Sequence, residues 1–182
     1  MYGQILVALD SSTLSQVVLK QAIALAQSVK GKLLLLHVLS SEEVMSPTMP
    51  LIPVPEYYPS LSVTTLELYE EEWKAFQAKS LVMLADYKRQ AEAAGVVAEV
   101  HQKVGRPGKT ICEMAQELKA DLIVIGRRGH SVFDEMLIGS VSNYVVHHAD
   151  TTVLVCNLQH PANHLGKDAV GQSQACAAGD SH

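Results

Sequence analysis

The chain has 182 residues, 48% of them hydrophobic and 18% charged, with 14 Lys and Arg against 19 Asp and Glu. That length and composition suit one globular domain with a sizeable core and exclude wholesale disorder and collagen-like repeats. The net charge of −5 argues against nucleic acid or an anionic membrane as partner. The three cysteines (112, 156 and 176) show no Cys-x-x-Cys spacing, which argues against a disulfide framework or structural zinc and for a reducing, cytoplasmic setting.

Residues 1–4 carry no basic stretch, and only the five apolar residues Ile5–Leu9 precede Asp10, so neither a signal peptide nor a membrane span is expected. Ile5–Leu9 itself reads as a strand buried on both faces. Leu14, Val18, Ala22, Leu25 and Val29 then trace a helical stripe, with Thr13 and Gln16 as a capping box and Gly31 as its stop. Leu33–Leu39 is a second strand. Residues 40–62 hold five of the seven prolines (47, 50, 53, 55 and 59) plus Tyr57 and Tyr58, which excludes regular helix or central strand and reads as a surface linker or partner-docking insert.

A long helix is expected from Thr64 to Ala94, with Leu66, Tyr69, Trp73, Phe76, Met83, Tyr87 and Ala91 inward and Gly95 as its stop. Val96–Val104 alternates as a third strand, and Pro107 opens a helix with the stripe Ile111, Met114, Ala115 and Leu118. Leu122–Ile125 is a fourth strand, Ser140–His148 a short helix and Thr151–Cys156 a fifth strand. Strands alternating with helices predict right-handed crossovers and a parallel sheet covered on both faces. Residues 158–182, without an aromatic, read as a flexible tail.

The chemistry concentrates after the fourth strand, in Gly126-Arg127-Arg128-Gly129-His130 and then Gly139-Ser140-Val141-Ser142. Open parallel sheets bind ligands beyond the carboxyl ends of their strands, where the winding switches direction. A glycine there admits close backbone approach, and a helix beginning at Gly139-Ser140 presents unpaired N–H groups and a positive dipole end that favour phosphate. Arg106, Lys109, Arg127 and Arg128 fall in the two loops expected after the third and fourth strands, where an anion could be held. Gly108-Lys109-Thr110 is not part of a P-loop, because position 103, where the first glycine belongs, is Lys103.

The pattern Gly126-x-x-Gly129-x9-Gly139-Ser140 resembles the nucleotide signature of the universal stress proteins. Ile5–Asp10, Leu36-His37-Val38, Val104-Gly105-Arg106-Pro107 and Thr152–Val155 are similar to that family too, over residues 1 to about 157. The resemblance implies an α/β, Rossmann-like fold: an open five-stranded parallel sheet of order 3-2-1-4-5 with helices on both faces. It also implies binding of ATP or another adenine nucleotide. Asp10 would contact the ribose and Val38 would pack on adenine; Gly126 and Arg127 would border the ribose and phosphates. Gly129, His130, Gly139, Ser140, Val141 and Ser142 would line the phosphates. For Asp10 the residues alone leave two roles open, accepting from ribose hydroxyls or capping the following helix. Hydrogen bonds to phosphate of roughly 1.5–3 kcal/mol each, set against ordering costs, suit roughly micromolar affinity.

The expected function is thus a regulatory, stress-response nucleotide-binding module acting as a homodimer, which the resemblance places at the strand Thr151–Cys156. One alternative is a slow ATP hydrolase or phosphotransferase using Asp134 or Glu135 with a divalent cation such as Mg²⁺. Another is an interaction scaffold using the proline-rich insert. No catalytic residue or resident metal ligand is singled out.

Overall fold

The computed structural model describes residues 2–43, 45–50, 59–127 and 139–157, with backbone alone for 59–62. Nine elements follow in the order β1 (Gln4–Leu9), α1 (Leu14–Val29), β2 (Lys32–Leu39), α2 (Pro59–Ala93), β3 (Ala98–Val104), α3 (Pro107–Glu117), β4 (Leu122–Gly126), α4 (Ser140–His148) and β5 (Thr152–Cys156). The strands form one parallel sheet of order β3-β2-β1-β4-β5, as expected.

The burial of each strand follows its place in that order. β2 lies between two neighbours and is buried along nearly its whole length, which is why it reads as an unbroken apolar run. Of the edge strands, β5 alternates, and β3 becomes more exposed toward its carboxyl end. Odd-numbered residues of β1 and β2 with even-numbered ones of β3 and β4 point to α1 and α2, in a core that includes Ile5, Val7, Leu33, Leu35, Val124, Leu19 and Leu84. The opposite residues point to α3 and α4, with Leu6, Leu34, Leu36, Ile123, Ile111, Met114 and Val145. Each fully buried Leu or Ile contributes roughly 1.5–3 kcal/mol of transfer free energy.

Four expectations are corrected. α2 starts at Pro59, five residues before Thr64, because a proline in the first turn surrenders only an N–H that has no intrahelical partner. Its described residues before Phe76 contain none that is buried, and Leu66 is exposed rather than inward. Thr13 is in helical geometry and its side chain makes no capping bond, so the capping box does not form. α1 ends on Lys30 in the left-handed region, φ 55°. Gly31 is needed for a different reason: a Cβ there would lie 2.7 Å from the Tyr2 carbonyl oxygen. Gly95, φ 78°, does follow the end of α2 in the left-handed conformation.

Among the described residues no helix is long and apolar enough to cross a membrane. Of the proline-rich insert, residues 44 and 51–58 lie outside the described residues, as does the whole segment 158–182.

Candidate functional site

The winding switches direction between β1 and β4, which are adjacent while α1 and α4 cover opposite faces. Asp10 follows β1 at this point. Its Oδ1 accepts hydrogen bonds from the Ser12 N–H (3.0 Å), the Ser12 hydroxyl (2.5 Å) and the Ser15 hydroxyl (2.7 Å). The Ser15 oxygen in turn accepts from the Asp10 N–H at 2.8 Å. Asp10 therefore organises the turn into α1, one of the two roles its sequence left open, and does so in place of the Thr13 capping box.

Opposite it, β4 ends at Gly126, and Arg127 follows. The Arg127 N–H donates to the Cys156 carbonyl (2.7 Å), while the Arg127 carbonyl accepts from the Gly139 N–H (2.7 Å). The Ser142 hydroxyl lies 2.9 Å from the same carbonyl oxygen and 3.0 Å from that of Gly139. This clasp fixes where α4 begins relative to β4. Ser142 is 2% exposed, so its hydroxyl is committed to the clasp, and only its main chain remains for a ligand. The Asn143 N–H makes the first intrahelical bond, to Gly139 (2.8 Å). Helix geometry then leaves the N–H groups of Ser140, Val141 and Ser142 in the first turn without helical acceptors. That turn itself contains no acidic residue, and among the described residues its N-cap makes no side-chain capping bond, which suits an anion at its positive end. Ser140 is exposed, and Val141 packs half-buried toward α3.

Gly126 has a structural reason beyond ligand approach. A Cβ there would sit 2.7 Å from Leu14 Cδ2, 3.1 Å from Leu14 Cγ and 3.3 Å from Val18 Cγ2, so its bare backbone is what lets α1 close on β4. Gly129 and His130 lie outside the described residues, as do Arg128, Asp134 and Glu135. Of the other basic residues near strand ends, Arg106 is the N-cap of α3 and Lys109 pairs with Glu113 one turn on, at 3.5 Å.

Val38 is buried on the α3 and α4 face of β2. Main-chain groups along a strand alternate sides: the Lys32 N–H bonds Gly3 beside β1, and the Leu33 N–H bonds Val97 beside β3. Counting on by twos turns the Val38 N–H and carbonyl toward β1. The β1–β2 ladder ends with the pair Leu9 and His37. Its next rung would join the Ser11 N–H to the Val38 carbonyl, but the Ser11 N–H donates instead to Glu43 Oε1 at 3.2 Å. The Val38 carbonyl therefore faces the crevice.

Sequence reasoning missed Glu43 and its support. Glu43 Oε2 lies 3.1 Å from His37 Nε2, and His37 Nδ1 bonds the Ser80 hydroxyl of α2. The side chains of His37 and Glu43 are 2% and 7% exposed. Burial alone would raise the Glu43 pKa. The hydrogen bonds from His37 and Ser11 and the favourable electrostatics of His37 outweigh it, and the pKa is lowered. As a carboxylate Glu43 only accepts, so Nε2 of His37 carries the proton between them. The available signal was a lone histidine in an otherwise apolar central strand, which demands buried partners. Ser80 and Glu43 also flank His37 as a nucleophile and an acid would, yet Ser80 is 5% exposed and offers a substrate no approach.

Comparison with known proteins agrees with this architecture. The family model described as "Universal stress protein family" matches residues 1–157. Universal stress protein Sll1388 of Synechocystis is 36% identical over 87% of this chain and 99% of its own length. Among solved structures, universal stress protein UspA from Lactobacillus plantarum superposes with a TM-score of 0.61 at 29% identity, covering 85% of this chain and 97% of that one. A universal stress protein solved in complex with cAMP gives a TM-score of 0.57 at 25% identity, over 86% of this chain and 97% of that one. Sequence and sheet order together place this chain in the universal stress protein family.

Proposed function

We propose that this protein binds an adenine nucleotide, ATP or a related one, in the crevice between the ends of β1 and β4, and acts as a regulatory module rather than through catalysis. The observation that carries the reading is the first turn of α4. The Arg127 clasp fixes that turn, with its first N–H groups, at the winding switch of the sheet. The structure of a related universal stress protein in complex with cAMP supports the same ligand class. In this reading Ser140 and the main chain of Val141 and Ser142 take the phosphates, with Gly139, Gly129, His130 and Arg127 beside them. Asp10 faces the ribose, and Val38 packs on the base while its carbonyl accepts from the adenine amino group. Mg²⁺ would accompany a triphosphate as its counter-ion. A reducing, cytoplasmic setting is supported by the buried free thiols Cys112 and Cys156.

The test exploits the position of Ser140 as the first helical residue. Ser140→Pro deletes its N–H and hydroxyl in a place where proline suits the helix, and Gly139 already has the extended ψ of 154° that precedes proline well. Calorimetry with ATP and AMP should show roughly micromolar binding to the wild type. Affinity should fall at least about tenfold in Ser140→Pro, as expected for losing a charge-assisted bond. Unchanged affinity would remove the helix terminus from the site.

A homodimer through Thr151–Cys156 is part of the proposal. β5 pairs with β4 on one side only among the described residues, and Leu154 on β5 and Val146 on α4 are exposed. Leu154→Lys should convert a dimer to a monomer in light scattering; a wild-type monomer would exclude this arm.

A further inference from the structure

We infer that Glu43, backed by His37, is a positioning residue for base recognition: it draws the Ser11 N–H off the β1–β2 ladder and so leaves the Val38 carbonyl open to the exocyclic amino group of an adenine. The inference rests on the nucleotide reading above and adds to it the device that selects the base. Three observations converge on it. The Ser11 N–H, which the strand register directs to Val38, is bound by Glu43 Oε1 at 3.2 Å. Glu43 cannot swing away, because its other oxygen is held 3.1 Å from His37 Nε2 within a nearly solvent-free site. His37 is fixed in turn by the Ser80 hydroxyl and by the edge of Phe76, whose ring centroid is 6.4 Å away.

The chemistry follows from what each group can accept or donate. With Glu43 in place, the Val38 carbonyl presents lone pairs to the crevice, which suit the amino group of adenine and repel the O6 acceptor of guanine. Without Glu43, the Ser11 N–H would be left without its acceptor, and the nearest one along the register is that same carbonyl. One more ladder rung would then close the base site. Glu43 touches neither base nor phosphate in this account; it acts through Ser11.

The test compares wild type with Glu43→Ala, Glu43→Gln and the double variant His37→Phe/Glu43→Leu, titrating each with ATP and GTP in a calorimeter. The double variant fills the buried space with apolar groups and guards against a fold lost to an unpaired histidine. Wild type should prefer ATP over GTP. Glu43→Ala and the double variant should lose about tenfold or more in ATP affinity while GTP changes little, so the preference collapses. Glu43→Gln keeps a side-chain oxygen for Ser11 and should stay within about threefold of wild type. Equal losses for ATP and GTP, or no rescue by glutamine, would overturn the role. Wild type that binds neither nucleotide would instead sink the underlying reading. A ligand-free measurement separates the two: scalar coupling across a Ser11 N–H to Val38 carbonyl bond should appear in Glu43→Ala and be absent in wild type. Its absence in both would overturn the positioning role whatever the nucleotide result.

Discussion

Replacing Gly126 by alanine separates two roles that a glycine at a strand end can play. The new Cβ would lie 2.7 Å from Leu14 Cδ2, where carbon pairs prefer about 3.5–4.0 Å, so the overlap is about 1 Å. Leu14 is 6% exposed and has little room to rotate away. Overpacking of this kind costs about 1–3 kcal/mol, and the lower entropy of the unfolded alanine chain offsets about 0.4–1 of it. A net loss of about 1–2 kcal/mol is expected, which lowers the melting temperature by about 2–8 °C in a domain of this size. Urea titration followed by circular dichroism, without nucleotide so that ligand linkage does not contribute, measures it. The cause is testable in the same assay. In a Leu14→Ala background the clash disappears, and the cycle should show a coupling of about 1 kcal/mol or more. If Gly126→Ala keeps full stability, or loses it equally in both backgrounds, the packing argument is wrong and the glycine serves the ligand alone.

Ser142→Ala, which removes the hydroxyl from the Arg127 and Gly139 carbonyls, should cost about 0.5–1.5 kcal/mol in the same urea titration; no cost would mean that the backbone bond alone holds the clasp. Asp10→Ala should destabilise by about 1–2 kcal/mol because Ser12 and Ser15 lose their acceptor, whereas Asp10→Asn should lose less than about 1 kcal/mol. The Glu43 pKa is lowered in the folded protein, so its contribution to stability is complete above the ordinary carboxylate value and fades as pH falls through the lowered one. The stability gap between wild type and Glu43→Gln should therefore narrow in acid, and a gap that widens as pH falls would contradict the sign. Burial pushes the Cys112 and Cys156 thiols up, with Asp150 and Glu113 adding to the effect at Cys112. Both should resist alkylation at neutral pH until urea unfolds the chain, as read by peptide mass spectrometry.

The sheet was legible because burial on two faces leaves no choice of residue: β1, β2 and β4 are apolar runs for the same reason that they are central. The carboxyl end of β4 and the start of α4 were legible because glycine and serine at that spacing have few other uses. What could not be read were matters of side-chain partnership. Thr13 and Gln16 have the spacing of a capping box, yet Asp10 takes over the turn with Ser12 and Ser15, since a carboxylate is the stronger acceptor. Ser142 resembles a phosphate donor until the Arg127 carbonyl is seen beside it. Pro59 looked like a barrier to helix, although a first-turn proline is compatible with one. The His37, Glu43 and Ser80 triad joins a strand, the start of the insert and a distant helix, and no local pattern encodes a contact across 43 positions.

The Arg127 carbonyl has a consequence for how such a protein can diversify. By receiving both the Gly139 N–H and the Ser142 hydroxyl, it pins the chain on either side of segment 128–138 to a single atom. The scaffold is thereby insulated from what lies between. Altering the length of a closed segment changes its entropy only logarithmically, by about 0.6 kcal/mol per doubling. Residues that suit one anion could be exchanged for residues that suit another while strand and helix keep their places. The clasp is a socket, and the segment it brackets can be treated as an interchangeable cartridge.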